Sequence, residues 1–166
     1  MEGFVSRLTF YVLLTCYFGA IALSTEGNMN QSRYAIDQIT VDGIQVYVLR
    51  DDATKAEAKI ATSLGNNCYS FGLSVKGEWI DLLDAPPDLE TLKQRPTAYG
   101  NPILFPFPNR IRGGQFTFEG KAYTFDKPPQ SPNSIHRLLL NQPYRVESAN
   151  ADALNGASLV CRLDSR

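Results

Sequence analysis

The sequence has few of the residues that announce metal, redox or nucleic-acid chemistry. Its 166 residues include one histidine, His136, one tryptophan, two methionines and three cysteines. Cys16, Cys68 and Cys161 stand at no metal-ligand spacing, and the last two lie 93 positions apart, so two free, buried thiols are expected rather than a disulfide framework. Neither sign of charge dominates. Sixteen Lys and Arg against 17 Asp and Glu give a net charge of −1, without the basic excess that a phosphate backbone demands, which excludes nucleic acid as a partner. There is no glycine-rich phosphate loop ahead of a helix and no Gly-x-Ser-x-Gly elbow, so no cofactor is implied. Repeats, coiled-coil heptads and amphipathic helices are also missing. The longest apolar stretch, residues 8–23, is interrupted by Thr9, Thr15 and Cys16 and falls short of the ~20 apolar residues of a membrane helix, so no stable membrane span is expected.

What the first segment does instead has two readings. Arg7 ahead of an apolar run, with small residues at Ala22 and Ser24, fits a secretory signal cleaved before Thr25, which would place the protein in the periplasm or outside the cell. Alternatively, residues 1–28 are a mis-assigned leader and translation starts at Met29, which would make the protein cytoplasmic. Either way, the patterned part is residues 29–166.

From Tyr34 onward apolar residues alternate with polar ones, the period of a strand. Residues 36–41 and 44–49 flank Asp42-Gly43, a dipeptide suited to the positive φ of a tight hairpin turn. Residues 58–64, 69–75 and 78–83 continue the pattern, with Lys76-Gly77 as a second hairpin turn and Trp79 packing on the sheet. Pro86-Pro87 breaks it. Residues 88–94 suit one or two helical turns, with acids early and Lys93 late as the helix dipole prefers, and Pro96 ends them. Residues 115–118 and 122–125 frame Glu119-Gly120 as a third hairpin, whose Phe116, Phe118, Tyr123 and Phe125 are read as core. Strands at 144–149 and 158–163 close the chain. The fold class is therefore all-β, the front portion of a large antiparallel sandwich.

One segment gathers polar candidates in loops beside that third hairpin: Asn109, Arg110, Arg112 and His136. Loops on a rigid β scaffold are where binding groups concentrate. Here the sequence resembles the aldose 1-epimerase (galactose mutarotase-like) family. The resemblance rests on Tyr99-Gly100, Pro108-Asn109-Arg110-Ile111, Gly114-Gln115-Phe116, Gly120-Lys121-Ala122-Tyr123 and Asn133-Ser134-Ile135-His136 in the family's order, with Lys59 to Asn67 similar to its early strand and turn. It covers roughly residues 34–146, the N-terminal half of a typical member.

The resemblance implies a galactose mutarotase-like supersandwich and an isomerase that interconverts the α and β anomers of free hexoses such as glucose or galactose, without a cofactor. The hemiacetal ring opens when a base takes the C1 hydroxyl proton and an acid protonates the ring oxygen. By the same resemblance His136 is the first of two active-site histidines, the catalytic candidate, and Arg110 and Asn109 are substrate-binding, with Asn109 also shaping the loop. Two departures stand out. Arg137 occupies the place of a family glycine, and the second histidine, the sugar-orienting aspartate and the glutamate base belong to the family's C-terminal half, which this sequence does not match. The alternative is a noncatalytic carbohydrate-binding remnant. Oligomeric state is left open.

Overall fold

A computed structural model describes residues 9–15, 32–136 and 138–164 of the chain. Twelve strands and one short helix follow the chain as β1 (Thr9–Thr15), β2 (Tyr34–Val41), β3 (Ile44–Asp51), β4 (Ala56–Ala61), β5 (Asn67–Val75), β6 (Glu78–Asp81), α1 (Leu89–Gln94), β7 (Arg110–Arg112), β8 (Gln115–Phe118), β9 (Lys121–Thr124), β10 (Asn133–Ile135), β11 (Arg145–Asp152) and β12 (Gly156–Asp164). The all-β expectation holds, with every strand pair antiparallel.

Strands β2 to β6 form a five-stranded meander in sequence order, because each connection is a short turn that folds the chain back on its neighbour. Asp42 and Gly43 take φ of 50° and 74°, and Lys76 and Gly77 take 54° and 85°, so both expected hairpins carry two consecutive left-handed residues. Strand β4 ends at Ala61, three residues earlier than the alternation suggests. Leu64 sits in a turn with Gly65 and Asn66, whose φ of 70° and 52° take the chain out of extended geometry. At the meander's edge Trp79 is half-exposed but lies against Gly72, where a Cβ would come within 2.6 Å of the indole, and its Nε1–H donates to Asp81 Oδ1 at 2.7 Å.

A second sheet, in the order β1-β12-β11, packs on the meander. Tyr34, Leu49, Ala58, Ile60 and Cys68 of the meander meet Tyr144, Ala157, Leu159 and Cys161 to form the sandwich core, with Leu139 closing it. Cys68 and Cys161 are both buried, and burial pushes the Cys161 thiol up to about 11. Strand β1 pairs along its whole length with β12, from Thr9 opposite Asp164 to Thr15 opposite Ser158. It comes from within the segment read as signal or leader, the rest of which lies outside the described residues.

Period-two alternation sends the other residues of β3 to the opposite face of the meander. Val46 and Val48 join Ala61, Leu64 and Tyr69 there, beneath Leu89 and Leu92 of α1. Asp88 caps that helix by accepting the Thr91 N–H at 2.6 Å. A six-residue helix is too short to persist alone, so burial of the two leucines, worth ~1.5–3 kcal/mol each, holds it in place.

At the other end of the meander Arg33 grips Asp51 with two bonds, Nε to Oδ1 at 2.8 Å and Nη2 to Oδ2 at 2.7 Å. The Ala53 N–H and the Thr54 hydroxyl also donate to that carboxylate, at 3.0 and 2.9 Å. The Arg33 bonds are the main reason the Asp51 carboxyl is lowered to about 2.

The β8–β9 hairpin corrects one expectation. Its aromatics are stacked but not core: Phe116 lies on Tyr123 with ring centroids 5.0 Å apart, while Phe116 and Phe118 remain 40% and 59% exposed. The row continues through Phe125, 5.8 Å from Phe116, onto Phe107 of the preceding loop, whose ring meets Phe125 edge-on at 5.0 Å.

Candidate functional site

The candidate residues sit on, and one step beyond, a small two-stranded sheet. Strands β7 and β10 pair over three residues, with Arg112 opposite Asn133, Ile111 opposite Ser134 and Arg110 opposite Ile135. Neither strand was expected from the sequence, since three residues are too few to show a period and the partners are separated by more than twenty positions. Continuing that register by one step sets Asn109 opposite His136.

These two residues clasp each other. The Asn109 N–H donates to His136 Nδ1 at 2.8 Å, and the His136 N–H donates to the Asn109 carbonyl at 3.2 Å. Because Nδ1 accepts, the proton of the neutral ring belongs on Nε2, which makes Nε2–H the imidazole's donor. Both residues adopt left-handed backbone, Asn109 with φ of 78° and His136 with 48°, a conformation that asparagine and histidine tolerate better than most side chains. Asn109 Oδ1 also accepts from Arg110 Nη1 at 3.1 Å. The three residues singled out in the sequence therefore form one connected unit. Arg112 is exposed, and Arg137 lies outside the described residues.

Arg110 and His136 open onto a groove of about 750 Å³ shared with Lys93, Arg95 and Pro96 at the end of α1 and with Leu140 and Asn141. Two devices hold its walls. The first is Asn67, 1% exposed on β5, whose Nδ2 donates to the carbonyls of Pro96 at 3.4 Å and Tyr99 at 3.3 Å while its Oδ1 accepts from the Asn101 N–H at 3.0 Å. That amide ties the loop after α1 to the meander. The second is Gly65, packed so closely on the segment following His136 that a Cβ there would come within 2.2 Å of the Leu140 carbonyl oxygen. Its N–H donates to the Gln142 carbonyl at 3.1 Å. Only glycine allows both that approach and the left-handed φ.

Sequence reasoning missed the contribution of α1. Lys93 reads as a cation placed for the helix dipole, and nothing local connects it or Arg95 with residues 110 and 136. Asn141 Nδ2, donating to the Lys93 carbonyl at 2.9 Å, joins the two walls. Among the described residues, no group of three or more His, Cys, Asp or Glu side chains could hold a metal ion, and no helix is long and apolar enough to cross a membrane.

Chemically the arrangement offers an imidazole N–H donor and a permanent cation side by side, suited to polar oxygens of a small ligand. A galactose mutarotase-like protein from Clostridium acetobutylicum superposes with a TM-score of 0.66 and 28% sequence identity, covering 77% of this chain, which spans 38% of that structure's length. The profile of the aldose 1-epimerase family matches residues 45–166, from the meander through the groove to the last strand, and the chain belongs to that family.

Proposed function

We propose that the groove is the sugar-binding part of an aldose 1-epimerase site, acting on hexoses such as glucose or galactose. The observation that carries this reading is the Asn109, Arg110 and His136 unit, held by bonds of 2.8 to 3.2 Å at the rim of one groove. In that role Nε2–H of His136 donates to the ring oxygen as the hemiacetal opens. Arg110 holds sugar hydroxyls with donors that never deprotonate. Asn109 keeps both side chains in place, through its backbone for His136 and its amide oxygen for Arg110.

A base for the C1 hydroxyl is the remaining requirement, and among the described residues the groove lining includes no carboxylate. General acid or base catalysis contributes ~10²- to 10⁴-fold per group, so residues 1–166 by themselves should turn over weakly or not at all while still binding sugar. The same observation favours the second reading, a noncatalytic carbohydrate-binding module.

Polarimetric mutarotation of freshly dissolved α-D-glucose and α-D-galactose, paired with sugar binding followed by ligand-observed NMR, tests both. Binding lost in His136→Ala and Arg110→Ala, with little or no rate, is the expected result. A rate above buffer that disappears in His136→Ala would establish an active epimerase and overturn the account of the missing base. A folded chain that binds neither sugar would sink the proposal.

A further inference from the structure

Of the ten asparagines in the sequence, Asn155 alone is followed by glycine. In an Asn-Gly pair the side-chain carbonyl carbon and the next backbone nitrogen are placed to close a five-membered ring, an intramolecular attack with a high effective concentration. A Cβ on the following residue crowds that nitrogen, and glycine has none. The dipeptide is therefore the place in this chain where the backbone is best able to react with its own side chain.

The fold sets this pair at the turn between β11 and β12. Asn155 is exposed there, next to Leu154 at 90% exposure, so water reaches the side-chain amide. Gly156 opens β12, buried and with φ of 80°. One carboxylate gathers the turn. Asp152 Oδ1 accepts the Leu154 N–H at 2.9 Å and the Asn155 N–H at 2.7 Å. The Asn155 Nδ2 donates to Oδ1 and to Oδ2 of the same residue, both at 3.1 Å. The amide that would be lost in ring closure is thus the group that Asp152 holds, with bonds that a charged acceptor strengthens. To turn its carbonyl carbon onto the Gly156 nitrogen, the side chain must first leave them.

We propose that Asn155 is a site of spontaneous deamidation and that Asp152 is the lock that sets its rate. In the first step the Gly156 nitrogen forms a bond to Asn155 Cγ, the Cγ–Nδ2 bond breaks, and Nδ2 leaves as ammonia with the proton that Gly156 gives up. Water then opens the cyclic imide at either carbonyl, which leaves aspartate or isoaspartate at position 155. Both products replace a donor to Asp152 with a second carboxylate, and isoaspartate also lengthens the backbone by one carbon where β12 begins. Gly156 pairs with Asp152, and β12 joins β11 to β1, so the change loosens the end of that sheet. The inference is independent of what the groove binds.

The test is incubation of the full chain near neutral pH, followed by mass spectrometry of the peptide that spans residues 152–156, which reads the change from amide to acid and separates aspartate from isoaspartate. Native wild type is compared with the same chain in urea and with native Asp152→Ala and Asp152→Asn, circular dichroism checking that each variant folds. Conversion should be at least ~10-fold faster in urea and in Asp152→Ala than in native wild type, the scale expected from losing two hydrogen bonds to a charged group. Asp152→Asn, which keeps one acceptor oxygen, should fall between. Native wild type converting as fast as the unfolded chain, or a folded Asp152→Ala converting no faster than wild type, overturns the lock. Conversion of another asparagine ahead of Asn155 in urea overturns the site. If Asp152→Ala does not fold, Asp152→Asn decides: faster conversion than wild type supports the lock, and an equal rate overturns it.

Discussion

Replacing Asn67 with leucine should loosen the groove before it unfolds the sandwich. The side chain is 1% exposed and makes three hydrogen bonds to the loop that follows α1. Its two donor bonds, at 3.3 and 3.4 Å, are long and rank at the lower end of the ~0.5–1.5 kcal/mol that a net hydrogen bond contributes. The acceptor bond from Asn101, at 3.0 Å, is better, but that N–H also reaches the Cys68 carbonyl at 2.9 Å and keeps a partner after the substitution. Leucine fills most of the vacated volume, so the expected cost is the lost bonds plus two weakened carbonyl contacts, about 2 kcal/mol. Urea unfolding should show this as a lower midpoint at unchanged slope. Hydrogen exchange should accelerate at Gly100 and Asn101, whose N–H groups bond to the Asp84 carbonyl and to Cys68 and Asn67. The α1 leucines stay in their pocket, so exchange of the meander should not follow. A loss below ~0.5 kcal/mol with unchanged exchange at residues 100 and 101 would refute the idea that Asn67 holds this wall.

Two further outcomes follow from ionisable groups in the core. Asp51, lowered from 3.8 to about 2, stabilises the fold above its ordinary value, and that contribution is lost as pH falls from about 4 to about 2. The expected loss is about 2 kcal/mol by acid titration of the urea midpoint, and Asp51→Asn should flatten that limb; an unchanged limb would show that the Arg33 grip does not persist in solution. Cys161, fully buried with its thiol pushed up to about 11, should resist a disulfide reagent at pH 8 until urea unfolds the chain, and rapid reaction in the native state would contradict the packing of β12.

Which features were legible in the sequence follows from how local their causes are. Asp42-Gly43, Lys76-Gly77 and Glu119-Gly120 mark three hairpins because the left-handed turn they need is chosen by the two residues themselves. Asp88 and Pro96 bracket α1 for the same reason. Leu64 misleads because it continues an apolar alternation, while the decision to turn is made by the next two residues, Gly65 and Asn66. The β7–β10 pair could not be read at all, since its three residues per strand gain meaning only from each other. The site divides along the same line. The resemblance picked out Asn109, Arg110 and His136, and the structure brings them together, whereas Lys93 and Arg95 joined the groove through tertiary packing of α1. The exposed Phe116 and Phe118 show the limit of pattern reasoning: alternation says that two residues share a face, not that another layer covers it.

The meander described above also has a consequence in time. Strands β2 to β6 are neighbours both in sequence and in the sheet, so each pairing closes a loop of only a few residues. The Asn109–His136 clasp must instead bring together residues 27 positions apart, across the β8–β9 hairpin. Short closures lose little chain entropy before they gain contacts, and long ones lose more. In a pulsed-exchange refolding experiment the amides of residues 34–81 should therefore gain protection first, those of Asn109 and His136 later, and those that join β1 to β12, more than 140 positions apart, last. The Asn109–His136 clasp would then close only on a meander already built.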